Sequence, residues 1–411
     1  MRGKTITRSP VATISPEMRL VAACCRWPAT PARDAAVRAA AGDVDWPRFL
    51  KLVGRHRVIG LAYAGLSSAG VTLPGNGARW LMTRVAQMAE QNRILGAESA
   101  RLQSLLDAAG IPSLLVKGAP LAELAYGSLA IKHAKDIDLL VRPVDLAAAL
   151  ALVRGDGYEL WLPARELTER QLGDVMRHSR DIALINPDRH VQLELHWGLT
   201  DNPRMLAGLG ATAETQAVTL GQGGPSVRTL ARDDLFAYLC VHGAAHGWIR
   251  LKWLADVAAL AAQLPEVEIE RLYRASVERG VGHCAAQALL LSQALLGLTL
   301  PAALADELAA SRRVRKLVAV ALDIMTGPGA EAEIADRRFG QARLIRARFL
   351  LSRDWRDLGV NLVTHMTALE DVLAVPLPSR LHLLYPVLRV PLWIGRRAGV
   401  IGRTKKEGRA V

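Results

Sequence analysis

The sequence predicts an α+β protein in which a small mixed β-sheet is flanked by helices, with further helical regions before and after it. Three observations point there. Between residues 111 and 197, apolar runs of strand length alternate with helical segments and end in a hairpin signal. On either side, residues 17–109 and 231–325 read as helices broken at Gly and Pro. At 411 residues and 51% hydrophobic content the chain exceeds the usual single-domain length and has ample apolar material for a core.

Taken in order, residues 17–64 read as Ala-rich helices punctuated by Pro28, Pro31 and Pro47, with Asp45 placed as an N-cap before Trp46-Pro47. A Gly/Pro break at 70–77 follows. The spacing then predicts one long helix from Ala78 to Ala109, ended by Gly110, where a left-handed C-cap meets no Cβ penalty. Ile111–Val116 is a short strand and Ala119–Tyr126 a brief helix closed by Gly127. Residues 135–141 form an acidic strand, and Pro143 opens a helix over Val144–Arg154 that stops at Gly155 and Gly157. Tyr158–Leu162 is extended, Ala164–His178 polar and helical. Arg180–Ile185 and His190–His196 are extended runs joined by Asn186-Pro187-Asp188-Arg189, a hairpin turn by its residue chemistry. Residues 207–228, rich in Gly, Thr and Pro, read as a loop. Helices resume over 231–325 with breaks at Gly280 and Gly297; Gly327-Pro328-Gly329 precedes a charged amphipathic stretch over 333–372. There is no internal repeat and no low-complexity segment.

Charge is unevenly spread. The formal net charge is +13 and the pI about 10.0, which suits an anionic partner. Residues 376–411 hold Arg380, Arg389, Arg396, Arg397, Arg403, Lys405, Lys406 and Arg409 against Glu407 alone, so the rest of the chain is only mildly basic. This tail offers a peripheral contact for an anionic membrane surface, because Leu381–Trp393 mixes apolar and basic residues. A terminal helix docked on the body with its arginines outward reads equally well. Nucleic acid is a less favoured partner. Four cysteines, adjacent at Cys24-Cys25 and distant at Cys240 and Cys284, follow neither zinc spacing nor a disulfide framework. Met1–Arg19 is broken by Pro10 and Pro16 before any continuous apolar run, so no signal peptide is read. The apolar windows Ala285–Ala305 and Leu381–Ile394 are interrupted by Gln and Pro or by Pro and Arg, and neither suits a bilayer span. A cytoplasmic protein, peripheral to the inner membrane face if the tail binds there, is the expected setting.

The chemistry concentrates in Lys117-Gly118 and, eighteen residues on, Asp136-Ile137-Asp138 inside the run Asp-Ile-Asp-Leu-Leu-Val. Side chains alternate along a strand, so Asp136 and Asp138 share a face and can hold divalent metal together. Burying such carboxylates without a cation or strong donors is very costly, so positive charge is expected beside them. A two-metal phosphoryl-transfer site calls for a third carboxylate. Glu194 is the candidate: in Val191-Gln-Leu-Glu-Leu-His-Trp197 the alternation puts Gln192, Glu194 and His196 on one face. If that strand lies beside the acidic one, three carboxylates converge.

These motifs resemble the nucleotidyltransferase superfamily typified by DNA polymerase β, and more closely the bacterial uncharacterised nucleotidyltransferase family. The resemblance covers roughly residues 20–260. It rests on Lys117-Gly118, Asp136–Val141, Gly157-Tyr158 and Glu194–Trp197, then on His242-Gly-Ala-Ala-His246-Gly-Trp248 and Leu251-Lys-Trp253-Leu-Ala-Asp256. It implies a nucleotidyltransferase core at 99–200, preceded by a helical region (1–98) and followed by a helical region carrying the paired histidines (201–330) and a C-terminal helical region with the basic tail (331–411). It also implies two magnesium ions on a nucleoside triphosphate such as ATP, bound by Asp136, Asp138 and Glu194, with nucleoside monophosphate transferred to an unidentified hydroxyl acceptor. Lys117 and Gly118 would contact the nucleotide's phosphates. Two departures stand out. The phosphate turn has Gly118-Ala119 without a hydroxyl, ahead of a long gap holding Lys132, His133 and Lys135, so the triphosphate must be gripped differently. The third acidic residue is Glu, one methylene longer than Asp.

Bland readings stand beside these. His196 suits a hydrogen-bonded support as well as a site neighbour. His242 and His246, at i and i+4, have zinc-like spacing, but Gly243 stands where a metalloprotease would carry glutamate, so packing or a place in the acceptor pocket is expected. Trp248 and Trp253 read as core. The alternative function is a catalytically weak nucleotide-sensing or partner-binding module, linked to surface-polysaccharide production.

Overall fold

The computed structural model describes residues 14–397 except positions 164 and 338. Arg2, Lys4, Arg8 and Pro10 at one end, and Arg403, Lys405, Lys406 and Arg409 of the basic tail, lie outside the described residues, as do the side chains of Arg396 and Arg397. The chain is an α+β protein with helices on both sides of a small mixed sheet.

Five helices come first: α1 (Pro16–Cys24), α2 (Pro31–Ala40), α3 (Trp46–His56), α4 (Ile59–Ala69) and the long α5 (Gly77–Ala108). Sequence chemistry sets their starts. Ser15, Thr30 and Asp45 each accept a hydrogen bond from a backbone N–H of the first turn, and proline follows each cap where its missing N–H costs nothing. The adjacent Cys24 and Cys25 are buried free thiols, Cys24 packed on Gly65.

The central segment is β1 (Ser113–Leu115), α6 (Ala119–Tyr126), β2 (Asp136–Val141), a 3₁₀ turn (Pro143–Asp145), α7 (Leu146–Gly155), β3 (Glu159–Leu162), α8 (Glu169–His178), β4 (Asp181–Asn186) and β5 (Val191–His196). The strand order is β1-β2-β5-β4-β3; β2 and β5 run parallel and the other pairs antiparallel. Asn186–Arg189 makes the expected hairpin turn, with Asn186 Oδ1 accepting from Arg189 N at 3.0 Å. The helix expected from residue 164 begins only at Glu169, because Thr168 and Gln171 form a reciprocal capping box there.

Residues 207–228 correct the loop reading. They include most of a second hairpin, β6 (Thr215–Thr219) with β7 (Ser226–Leu230). Its Gly- and Pro-containing turn dominates the composition, while the strand signal is a short alternation: Val218 and Val227 are buried in the sheet core.

The C-terminal helices are α9 (Arg232–Ala245), α10 (Leu251–Ala261), α11 (Glu266–Glu278), α12 (Gly282–Leu296), α13 (Ala302–Ala310), α14 (Arg312–Thr326), α15 (Gly340–Leu350), α16 (Trp355–Met366), α17 (Leu369–Ala374) and α18 (Tyr385–Arg397). Among the described residues no helix is long and apolar enough to cross a membrane. Helix α9 is buried continuously from Asp234 to Ala244, as expected of a helix apolar on every side. Gly243 permits this. A Cβ there would overlap the ring of Trp248, which is fully buried in a left-handed conformation (φ 52) and cannot retreat. Gly243→Ala is therefore expected to lower unfolding free energy by about 1–3 kcal/mol, the usual cost of overpacking. Urea unfolding checks this; a loss below about 0.5 kcal/mol would contradict the packing argument.

Two apolar cores meet at the sheet. Ile137, Leu139 and Val141 of β2, with Val191, Leu193 and Leu195 of β5, pack against Leu95, Leu102 and Leu106 of α5 and Val153 of α7. The opposite face carries Asp136, Asp138, Glu194 and His196 and looks toward the helical body, whose core takes in Leu140 from β2 and Phe236 and Tyr238 from α9. Strand alternation thus puts the polar set between sheet and helices.

Candidate active site

The register of β2 on β5 pairs Asp138 with Glu194 directly and Asp136 with Gln192. Next along β5, His196 reaches back. Its Nε2 is 3.2 Å from Asp138 Oδ1 and 3.4 Å from Glu194 Oε2, and its Nδ1 is 3.6 Å from Asp181 Oδ2. Asp138, Glu194 and His196 each place one ligand atom within 4.8 Å of the others, an arrangement that could hold a metal ion. Asp136 does not belong to that close trio. It shares the β2 face one pleat away, half-buried, with no hydrogen bond or ion pair to a described side chain.

Lys117 enters from β1. Val116 N donates to Asp138 O, so β1 ends level with the aspartates. Lys117 Nζ then lies 2.7 Å from Asp138 Oδ1. Gly118 follows at φ 69, ψ −129, a conformation that only glycine adopts readily, and it turns the chain into α6. The positive charge expected beside the aspartates is thus supplied in part by Lys117.

Electrostatics separates the two aspartates. Burial opposes ionisation of Asp138, but Lys117 and the hydrogen bond from His196 hold its carboxyl well below the usual range. Burial pushes Asp136 up, and the nearby charges of Asp138 and Glu194 add to the rise. Burial disfavours charge on His196, yet Asp138 and Glu194 raise its pKa above the ordinary histidine value. Lys117 is likewise held above its usual value by Asp138 against burial.

Residues 42–297 match the family model described as Uncharacterised nucleotidyltransferase. The chain belongs to that family. No curated protein and no solved structure matches it. The match spans the acidic strands, the Lys117 turn and helices α9 and α10 together.

Helix α9 roofs the acidic face. Tyr238 is buried and lies near Lys117 and Asp138; burial raises its pKa. His242 and His246 stack at 4.7 Å between ring centroids, and Trp253 meets both rings at 5.2 Å. Neither histidine joins the metal-capable trio. Burial and the Lys117 charge keep His242 neutral, and neither of its ring nitrogens has a hydrogen-bond partner. Burial and Arg180 push His246 down to about 3. Both histidines lie on the helix that roofs the acidic face, packed against Trp253. Trp248 is core, whereas Trp253 is only partly buried against it.

Several residues of this neighbourhood were given no role from the sequence. Arg180 bridges Asp181 at 3.4 Å and Asp201 at 2.9 Å and carries the far side of His196's surroundings. Asp256, which ends the Leu251–Asp256 motif, accepts from Tyr126 Oη and Lys132 Nζ, both at 2.9 Å. Asn92 of α5 donates to the carbonyls of Leu129 and Lys132 and accepts from Ala134 N, clamping the loop before β2. An Asn in the middle of a long helix was the available signal, since that residue type weakly disfavours helix interiors.

Proposed function

We propose that the protein transfers a nucleoside monophosphate from a nucleoside triphosphate to a hydroxyl acceptor, with magnesium, in the manner of the DNA polymerase β-like superfamily. The observation that carries this is the convergence of Asp138 and Glu194 on paired strands in a nucleotidyltransferase family member, with Asp136 unpaired on the same face.

The donor set suits hard divalent cations: three carboxylates and one imidazole. Asp136, Asp138 and Glu194 would hold two magnesium ions, which when bound neutralise charge developing on the transferred phosphoryl group and lower the pKa of the attacking hydroxyl. Glu194 would receive the acceptor's proton, a role supported by its being the most exposed of the metal-capable trio at 36% of its side chain. The acceptor oxygen then bonds to the α-phosphorus, the bond to the bridging oxygen breaks, and pyrophosphate leaves. His196, held between Asp138 and Asp181, orients the Asp138 carboxylate.

Label transfer tests this. With magnesium and an extract of the native host, α-labelled triphosphate should label an acceptor and γ-labelled triphosphate should not. Failure with every α-labelled nucleotide would sink the reading. The second reading, a nucleotide-sensing or partner-binding module, draws on the Lys117 ammonium 2.7 Å from Asp138, which already occupies one metal-facing oxygen. It is favoured if nucleotide binds and no label moves.

A peripheral membrane contact is a separate proposal. Leu383, Val387, Val390 and Ile394 are all more than half exposed, and from Leu383 they recur at helical spacing amid the basic residues of the tail. Flotation with anionic but not zwitterionic vesicles is expected, and Val387→Glu should abolish it.

A further inference from the structure

The phosphate turn lacks a hydroxyl, so whatever grips a triphosphate must come from elsewhere. Cations that make no ion pair within 4 Å with a described residue gather at the Asp136 end of β2. Arg57 stands at the α3–α4 corner in a left-handed conformation (φ 56), and its guanidinium makes no hydrogen bond or ion pair with any described residue. Its neighbouring charges are Arg250, Asp136 and Glu333. Lys252 of α10, half-buried, donates from Nζ to His133 O at 3.3 Å and to nothing else described. Burial, together with the charges of Lys132 and Arg57, pushes it down to about 7. His133 Nδ1 is buried without a partner, and Lys135 is exposed at the head of the strand.

Other nearby cations are already used. Lys132 is neutralised by Asp256 at 2.9 Å, and Arg250 by Glu333 at 2.7 Å. Asp136 feels both Arg57 and Lys252, but no ion pair within 4 Å joins it to either. Crowding like charges in a half-buried place is unfavourable unless an anion joins them. The cluster is also held firmly. Asn92 clamps the 129–134 loop by three bonds, and Gly60 of α4 lets the Ile131 carbonyl approach where any Cβ would collide.

We propose that Arg57 and Lys252, with His133 and Lys135 beside them, form a polyphosphate seat adjoining Asp136 that does the work of the missing phosphate-turn hydroxyl. Three separate elements supply it: the α3–α4 corner, α10 and the loop before β2. It rests on the nucleotidyl-transfer reading for the identity of the nucleotide, but not for the binding of polyphosphate itself. A bound polyanion would also favour the charged form of Lys252.

The test is calorimetric titration of the full-length protein with inorganic tripolyphosphate, without metal. Wild type should bind, and Arg57→Ala and Lys252→Ala should each weaken binding at least tenfold. Lys252→Arg should keep most of it, and Arg84→Ala, which removes an exposed cation of α5, should leave it unchanged. Thermal melts confirm that each variant is folded; Lys252→Ala removes a strained charge and should not melt earlier. No binding by wild type, or equal binding by the Arg57 and Lys252 variants, overturns the proposal. Binding lost in both variants while no nucleotide is ever transferred would keep the seat and sink the transferase reading.

Discussion

Asp138→Asn is expected to reduce nucleotidyl transfer at least a thousandfold while also weakening the fold. The catalytic loss follows from charge. The substitution removes one of three carboxylates in the set proposed to bind metal, and stabilisation aimed at a developing oxyanion commonly accounts for about 4 kcal/mol, near a thousandfold in rate. The structural loss has a different origin. Asp138 is 3% exposed and faces the Lys117 ammonium at 2.7 Å and the His196 imidazole at 3.2 Å. An amide there leaves the Lys117 ammonium without its main counter-charge, and stranding a buried charge costs about 3–5 kcal/mol. Adding Lys117→Met should recover much of the stability and none of the transfer. Urea unfolding and label transfer on the single and double variants read the two effects separately. Transfer that survived Asp138→Asn in a folded protein would remove this carboxylate from the chemistry.

The site was legible where it depends on one strand and its alternation. Asp136 and Asp138 on one face, Glu194 and His196 on one face, and the glycine turn after Lys117 all follow from period two and from backbone sterics, which are local. That β2 and β5 are neighbours was only conditional in the sequence, because strand pairing between residues about fifty apart is set by the whole sheet. The helices were legible from caps and glycine stops, down to Asp45 and Gly127. The hairpin β6–β7 was not, since two five-residue strands leave little periodic signal beside a Gly-rich turn. Arg57 and Lys252 were hidden for a further reason. A cation's meaning depends on which anions are near it, and those contacts join α3, α10 and a loop far apart in the chain. Lys252 even lies inside a recognised motif, between Leu251 and Trp253, where a solvated lysine reads the same.

Asp256→Ala should unfold more easily than wild type by about 3–5 kcal/mol, although Asp256 touches no substrate in any reading of the site. Asp256 as a residue is 2% exposed. One oxygen accepts from Tyr126 Oη and the other from Lys132 Nζ, both at 2.9 Å, in a cluster where lysine and aspartate side chains are 5% and 3% exposed. Removing it leaves a buried ammonium unpaired and a buried phenol unsatisfied. Replacing both charged partners, as Asp256→Ala with Lys132→Met, should return most of the loss, because the cost lies in the orphaned charge and not in the absence of an ion pair. A loss below about 1 kcal/mol in the single variant would mean that Lys132 swings to solvent and that the cluster is not the anchor described here. The same substitution should reach function through geometry. Lys132 sits in the loop that Asn92 clamps, and that loop delivers His133, Lys135 and the first residue of β2, so loosening it should raise KM for the triphosphate more than it lowers kcat. Asp138→Asn should do the reverse, and the contrast separates the residue that positions the phosphates' surroundings from the residue proposed to act on the reacting centre.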